Sequence, residues 1–98
     1  MNIVKGKLVD SLFTRTPDPG DFQFYKESAT SDAIGGMMFS CPCGCGAVIG
    51  VNLSPNTGNG PPWNWDGNKE APTITPSVRH LDGCKWQGWI KNGEFHTC

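Results

Sequence analysis

Met37-Met38-Phe39-Ser40-Cys41-Pro42-Cys43-Gly44-Cys45-Gly46-Ala47-Val48-Ile49-Gly50-Val51-Asn52-Leu53 sets two short apolar runs on either side of three cysteines. Each run has strand length, and its β-branched and aromatic residues suit a pleated, half-buried surface. Pro42 fixes one φ angle, and Gly44 and Gly46 accept positive ones, so the chain between the runs must turn tightly. The stretch therefore predicts two strands joined by a cysteine turn. From it follows an all-β class: a small metal-stapled sheet with β-hairpins, zinc-ribbon-like, with a long Pro/Gly loop further on. Zinc knuckles usually separate their cysteines by two to four residues, and Cys-x-Cys-x-Cys is tighter than that. Cys41 and Cys45 fit the range, while Cys43 is a third local ligand or an outer thiol.

The run from Cys84 to Cys98 carries the clearest turn signal. Asn92-Gly93 stands between the aromatic Trp86-Gln87-Gly88-Trp89-Ile90-Lys91 and Glu94-Phe95-His96-Thr97, and this dipeptide is the one a two-residue type I′ hairpin prefers. Pairing Lys91 with Glu94 sets Cys98 opposite Gln87, close to Cys84. The hairpin thus delivers Cys84 and Cys98 to one end of a sheet, where they complete a metal site as four of five with Cys41, Cys43 and Cys45. His80 is the substitute ligand. Cys45, Cys84 and Cys98 are expected to contribute most to affinity.

Nearer the N-terminus, Ile3–Val9 and Phe22–Lys26 alternate in the manner of strands, split by Pro17-Asp18-Pro19-Gly20, a turn by composition. A hairpin or two edge strands is expected there. Residues 54–72 are rich in Pro, Gly and Asn and predict a long surface loop carrying Trp63 and Trp65. Period-2 spacing sets both indoles on one face if the segment is extended. Two uses follow: folding back on the core, or stacking on a partner as a binding pair. Trp86 and Trp89 are expected to cover the core.

A chain of 98 residues reads as one domain, residues 1–33 supplying N-terminal β segments and 34–98 the cysteine-rich unit. At this size a chain buries only ~60–65% of the surface it exposes unfolded, so a cross-link is valuable. Only 37% of residues are apolar, and 13 Gly and 8 Pro leave no segment with sustained helical periodicity. Eight basic and nine acidic residues give a net charge of −1, which argues against a phosphate-backbone or membrane partner. With no apolar run of signal-peptide or membrane-span length, the cytoplasm of a bacterial host is expected. There five cysteines are better explained by metal than by disulfides, and zinc fits better than an iron–sulfur cluster.

A catalytic zinc keeps an open position beside a proton carrier, and few proton carriers are present. His80 and His96 are the only imidazoles. His96 is expected on a solvated strand face, and no catalytic residue is singled out. The favoured reading is a binding module with a protein partner. A zinc-ribbon-like nucleic-acid binder and a metalloenzyme are the alternatives.

Phe39–Gly46, Pro72-Thr73-Ile74-Thr75-Pro76-Ser77, Gly83-Cys84-Lys85-Trp86 and Gly88–Gly93 together resemble a family of small cysteine-rich, zinc-binding proteins of tailed phages and prophages, a domain of unknown function. The resemblance covers roughly residues 36–98. It implies a structural-zinc-binding phage accessory protein acting as an interaction module. It also implies Cys-x-x-His after Cys84, where this chain has Gln87.

Overall fold

The computed structural model describes residues 3–13, 16–54, 62–79 and 86–97. Among them the chain forms strands β1 (Ile3–Lys5), β2 (Lys7–Leu8), β3 (Asp21–Ser28), β4 (Ser31–Ser40), β5 (Val48–Asn52), β6 (Asn64–Trp65), β7 (Ile74–Arg79), β8 (Gln87–Lys91) and β9 (Glu94–Thr97), and no helix. The all-β expectation holds. Two sheets result, a five-stranded one ordered β1-β9-β8-β7-β6 and a four-stranded one ordered β2-β3-β4-β5.

Both hairpins read from local signals form in register. β4 and β5 pair antiparallel from Gly36↔Asn52 to Ser40↔Val48, so residues 41–47 close the cysteine turn. β8 and β9 pair from Gly88↔Thr97 to Lys91↔Glu94. Asn92 and Gly93 both adopt positive φ, 50° and 74°, as a type I′ turn requires. Loop residues hold that turn from outside, with Asn92 N–H donating to Thr73 Oγ1 at 3.0 Å and Gly93 N–H to the Pro72 carbonyl at 2.9 Å.

The N-terminal segments differ from the expectation. They make no hairpin: β1 runs antiparallel to β9, while β2 runs parallel to β3, so one short run joins both sheets. Gly6 is the corner. Its N–H donates to the Gly93 carbonyl at 2.7 Å, and a Cβ there would lie 2.5 Å from that oxygen and 2.9 Å from the Phe95 ring. Sequence alternation alone does not reveal such a crossing, because it depends on what packs beneath the bend. The Pro-Asp-Pro-Gly turn does form, with Asp18 N–H on Asp21 Oδ2 and Asp21 N–H on the Asp18 carbonyl, both 3.0 Å.

The core lies between the sheets. Phe22, Met37, Phe39, Ile49 and Val51 of one sheet meet Ile74, Val78, Ile90 and Phe95 of the other. Phe95 is central, its ring centroid 4.8 Å from Phe39, 6.5 Å from Phe22 and 6.3 Å from Trp86. Leu12 is buried apart from this cluster, and its N–H donates to Gln23 Oε1.

Candidate functional site

Cys41, Cys43 and Cys45 lie in the loop that links β4 to β5. Cys41 N–H donates to the Ala47 carbonyl at 2.8 Å and Gly44 N–H to the Cys41 carbonyl at 3.0 Å, so the loop closes on its own backbone. Gly44 and Gly46 take φ of 87° and 86°, a conformation costly for residues with a Cβ. Cys41 is fully buried at the foot of the loop, whereas Cys43 and Cys45 are exposed and none is in a disulfide. The three sulfurs lie within 4.8 Å of one another, with Cys41 Sγ and Cys43 Sγ 3.2 Å apart. Thiolates on a tetrahedral zinc stand about 3.8 Å apart, given Zn–S bonds of ~2.3 Å. The donor set and its spread fit a soft metal ion, and these three cysteines can hold one. Cys84, Cys98 and His80, the remaining candidate ligands, lie outside the described residues.

Trp63 and Trp65 do share a face, and it is the one that packs against the core. Trp65 sits 5.0 Å from the Phe24 ring. Trp63 Nε1 donates to the Ser77 carbonyl at 3.3 Å and Trp65 Nε1 to the Asn68 carbonyl at 3.2 Å. Of the other pair, Trp86 is buried and donates to Thr97 Oγ1 at 3.0 Å, but Trp89 is 37% exposed. Strand alternation explains the split: in β8, Gly88 and Ile90 point inward, so Gln87, Trp89 and Lys91 point outward.

Trp89 stands at the centre of the outward face of the five-stranded sheet. Register pairs it with His96, and His96 with Ile3. On the other side Val78 pairs with Gly88 and Arg79 with Gln87. Ser77, one position before Val78, falls at the end of the register shift between Ile74 and Val78, in the stretch of β7 that faces Trp89, with the regular pairs to Gly88 and Gln87 following it. His96 is half-buried rather than solvated, its Nε2 3.5 Å from Glu94 Oε1. Ser77 and His96 flank Trp89, about 10 Å apart at the backbone from two strand spacings.

The other described serines are placed differently. Ser40 and Ser54 are buried. Ser54 Oγ donates to Glu27 Oε2, and Ser31 Oγ to Glu27 Oε1 at 3.2 Å. Ser28 Oγ meets Thr30 Oγ1 at the β3–β4 turn, and Ser11 Oγ accepts the Phe13 N–H. Four of these five belong to the four-stranded sheet and its loops, and Ser11 lies in the segment before β3, so none shares a strand with His96. Serines were not singled out from sequence, because a hydroxyl carries no spacing signature of its own and strand register must first give it a face.

A family model described as bacterial ubiquitination-like system serine protease (BubE) matches residues 10–98. Neither a curated protein nor a solved structure matches the chain. The family match overturns the expected function, a structural-zinc-binding phage accessory module acting by interaction alone, and it favours neither the nucleic-acid-binding nor the metalloenzyme alternative. The physical reason for the error is plain. Cysteine spacing and charge report how the chain is held together and what it repels, and neither separates an interaction module from a member of a serine protease family. No helix is long and apolar enough to cross a membrane among the described residues.

Proposed function

The chain belongs to the BubE family, and from that premise we propose that it acts as a serine peptidase-type component of a bacterial ubiquitination-like system, with Ser77 as nucleophile. The observation that carries this reading is the placement of Ser77. Among the described serines it alone is partly exposed within a strand on the sheet face that also bears His96 and Glu94. In such a reaction Ser77 Oγ attacks the scissile carbonyl, and its proton passes to a base and then to the leaving amine. Water then hydrolyses the ester formed on Ser77.

The base decides the rate. His96 is held by a carboxylate, as in a triad, but Trp89 stands between it and Ser77. Position 87 is nearer: it pairs with Arg79, two positions after Ser77, and diagonal neighbours on antiparallel strands are within reach of long side chains. The Cys-x-x-His pattern implied by resemblance sets an imidazole there. Gln87 is a neutral amide that takes no proton at neutral pH, so this chain is a slow catalyst that binds and orients more than it turns over.

A fluorophosphonate probe tests this directly. Slow labelling of the wild type, lost in Ser77→Ala, is the expected result. Gln87→His should accelerate labelling by at least ~100-fold, the low end of what a positioned base contributes. Labelling that survives Ser77→Ala and maps to Ser54, beside Glu27, sinks the assignment.

The ion at Cys41, Cys43 and Cys45 is zinc in this reading, with the fourth ligand drawn from Cys84, Cys98 or His80. Its work is to hold the β4–β5 turn. Metal analysis of the purified chain checks the ion, and one zinc per chain is expected.

A further inference from the structure

We propose that the outward face of the five-stranded sheet docks an acidic polypeptide segment, with Trp89 as its apolar anchor and Lys5, Arg79 and Lys91 as its charge partners. This deepens the reading of Ser77 as nucleophile and rests on it for the segment's role as substrate.

Alternation fixes which side chains face outward. In β1, Val4 turns toward the core, so Ile3 and Lys5 turn away. In β9 the buried Phe95 leaves Glu94 and His96 outward. Arg79 is exposed at the end of β7, next to Gln87 of β8. Register then assembles two rows: Ile3, His96 and Trp89 in one, Lys5, Glu94 and Lys91 in the other. The first row carries the exposed apolar side chains Ile3 and Trp89 and leads toward the irregular part of β7 that holds the proposed nucleophile.

Two features mark this face as more than a solvated sheet. Ile3 is 56% exposed and Trp89 37%, so the row keeps large apolar area in contact with water. Lys91 Nζ sits 5.6 Å over the Trp89 ring, which ties the aromatic to a cation. Trp and Arg are the residue types that most often dominate binding surfaces.

Charge selects the partner. Three cations share the face with one carboxylate, Glu94, which lies opposite both Lys5 and Lys91 and already faces His96. The chain as a whole carries a net charge of −1, whereas this face sets three cations against one carboxylate. A basic segment is repelled there and an acidic one is drawn in. Three cations are few for a nucleic-acid backbone, which needs a dense basic track. A protein segment with mixed apolar and acidic residues matches both rows.

The test uses Ser77→Ala, so that binding is measured without turnover. A fluorescein-labelled peptide of Leu, Glu and Asp is titrated, beside a counterpart with Lys for each acid and a short oligothymidylate. The acidic peptide should bind saturably, quench tryptophan emission and weaken as salt rises. Trp89→Ala, Arg79→Glu and Lys91→Glu should each lower affinity by about 30-fold or more, the size that marks a binding hot spot. Lys26→Glu, on the other sheet and paired with Asp32, should leave affinity unchanged. Equal binding of the Lys peptide, absence of peptide binding, or a matching loss in Lys26→Glu overturns the proposal. Tighter binding of the oligothymidylate overturns it in favour of a nucleic-acid surface. Failure of Ser77 labelling with intact peptide binding removes the peptidase reading alone, and the converse removes the docking face alone.

Discussion

In the β4–β5 loop, three sulfurs come from one short run, and two positive-φ glycines shape the turn that gathers them. On the five-stranded sheet, Ile3, His96, Trp89 and Ser77 come from four strands drawn from both ends of the chain. The first cluster is a product of turn geometry and survives any change in how the sheets pair. The second is a product of register. A one-residue slip between β8 and β9 would turn Trp89 or His96 to the opposite face and erase the row. Locally built sites are robust and chemically simple, while sites built across strands are fragile and gain their chemistry from the pairing.

That contrast can be broken most severely at the metal. Structural zinc contributes roughly 10–16 kcal/mol of apparent binding free energy in small domains at neutral pH. Strong chelation is expected to abolish the cooperative thermal transition and both surfaces with it. A purified chain that holds no stoichiometric metal yet melts cooperatively would show that the loop is held by its backbone alone. Cys98→Ser sharpens the same point: a steep drop in zinc affinity, read by competition with a chromophoric chelator, makes it a ligand, and an unchanged affinity removes it.

Next comes the core that both regions share. Phe95→Ala deletes a ring in contact with Phe39, Phe22 and Trp86 and should cost about 3–5 kcal/mol in denaturant unfolding. The comparison predicts an unequal outcome for the two sites. Metal stoichiometry should persist longer as the protein weakens, because three of the four proposed ligands sit in one loop, while fluorophosphonate labelling at Ser77 should fall first.

A smaller change isolates register from core packing. Gly93→Ala places a Cβ at φ 74° and 3.0 Å from the Ala71 backbone, a strain of roughly 1–2 kcal/mol. Urea midpoints should shift by that amount with an unchanged slope. Peptide binding to the outward face should weaken, and zinc content should not. The smallest effect on stability belongs to Trp89→Ala, expected to stay within about 0.5 kcal/mol since the ring faces solvent. A larger loss would mean that the indole belongs to the core after all, as composition alone suggested.

Much of the β architecture was legible locally. Cys41-Pro42-Cys43-Gly44-Cys45-Gly46 and Asn92-Gly93 are turns whatever surrounds them, since φ preferences act within a few residues. The register of β8 on β9 followed from the second of these without further information. The N-terminal crossing was not legible, because nothing in Val4-Lys5-Gly6-Lys7 distinguishes a straight strand from one that changes sheets. Trp89 was misplaced for a related reason: hydrophobicity favours burial, but alternation from Ile90 left it outside, and alternation won.

The chain by itself determined that it would be all-β, where its tight turns fall, and that three thiols would meet in one of them. Those outcomes rest on interactions between near neighbours, whose geometry the backbone dihedrals dictate. Only the tertiary structure decided which strand joined which sheet, that Gly6 must admit the Gly93 carbonyl, and that Ser77, Trp89, His96 and Ile3 would share a face. Contacts between residues far apart along the chain are selected by packing of the whole core, and no local preference encodes them.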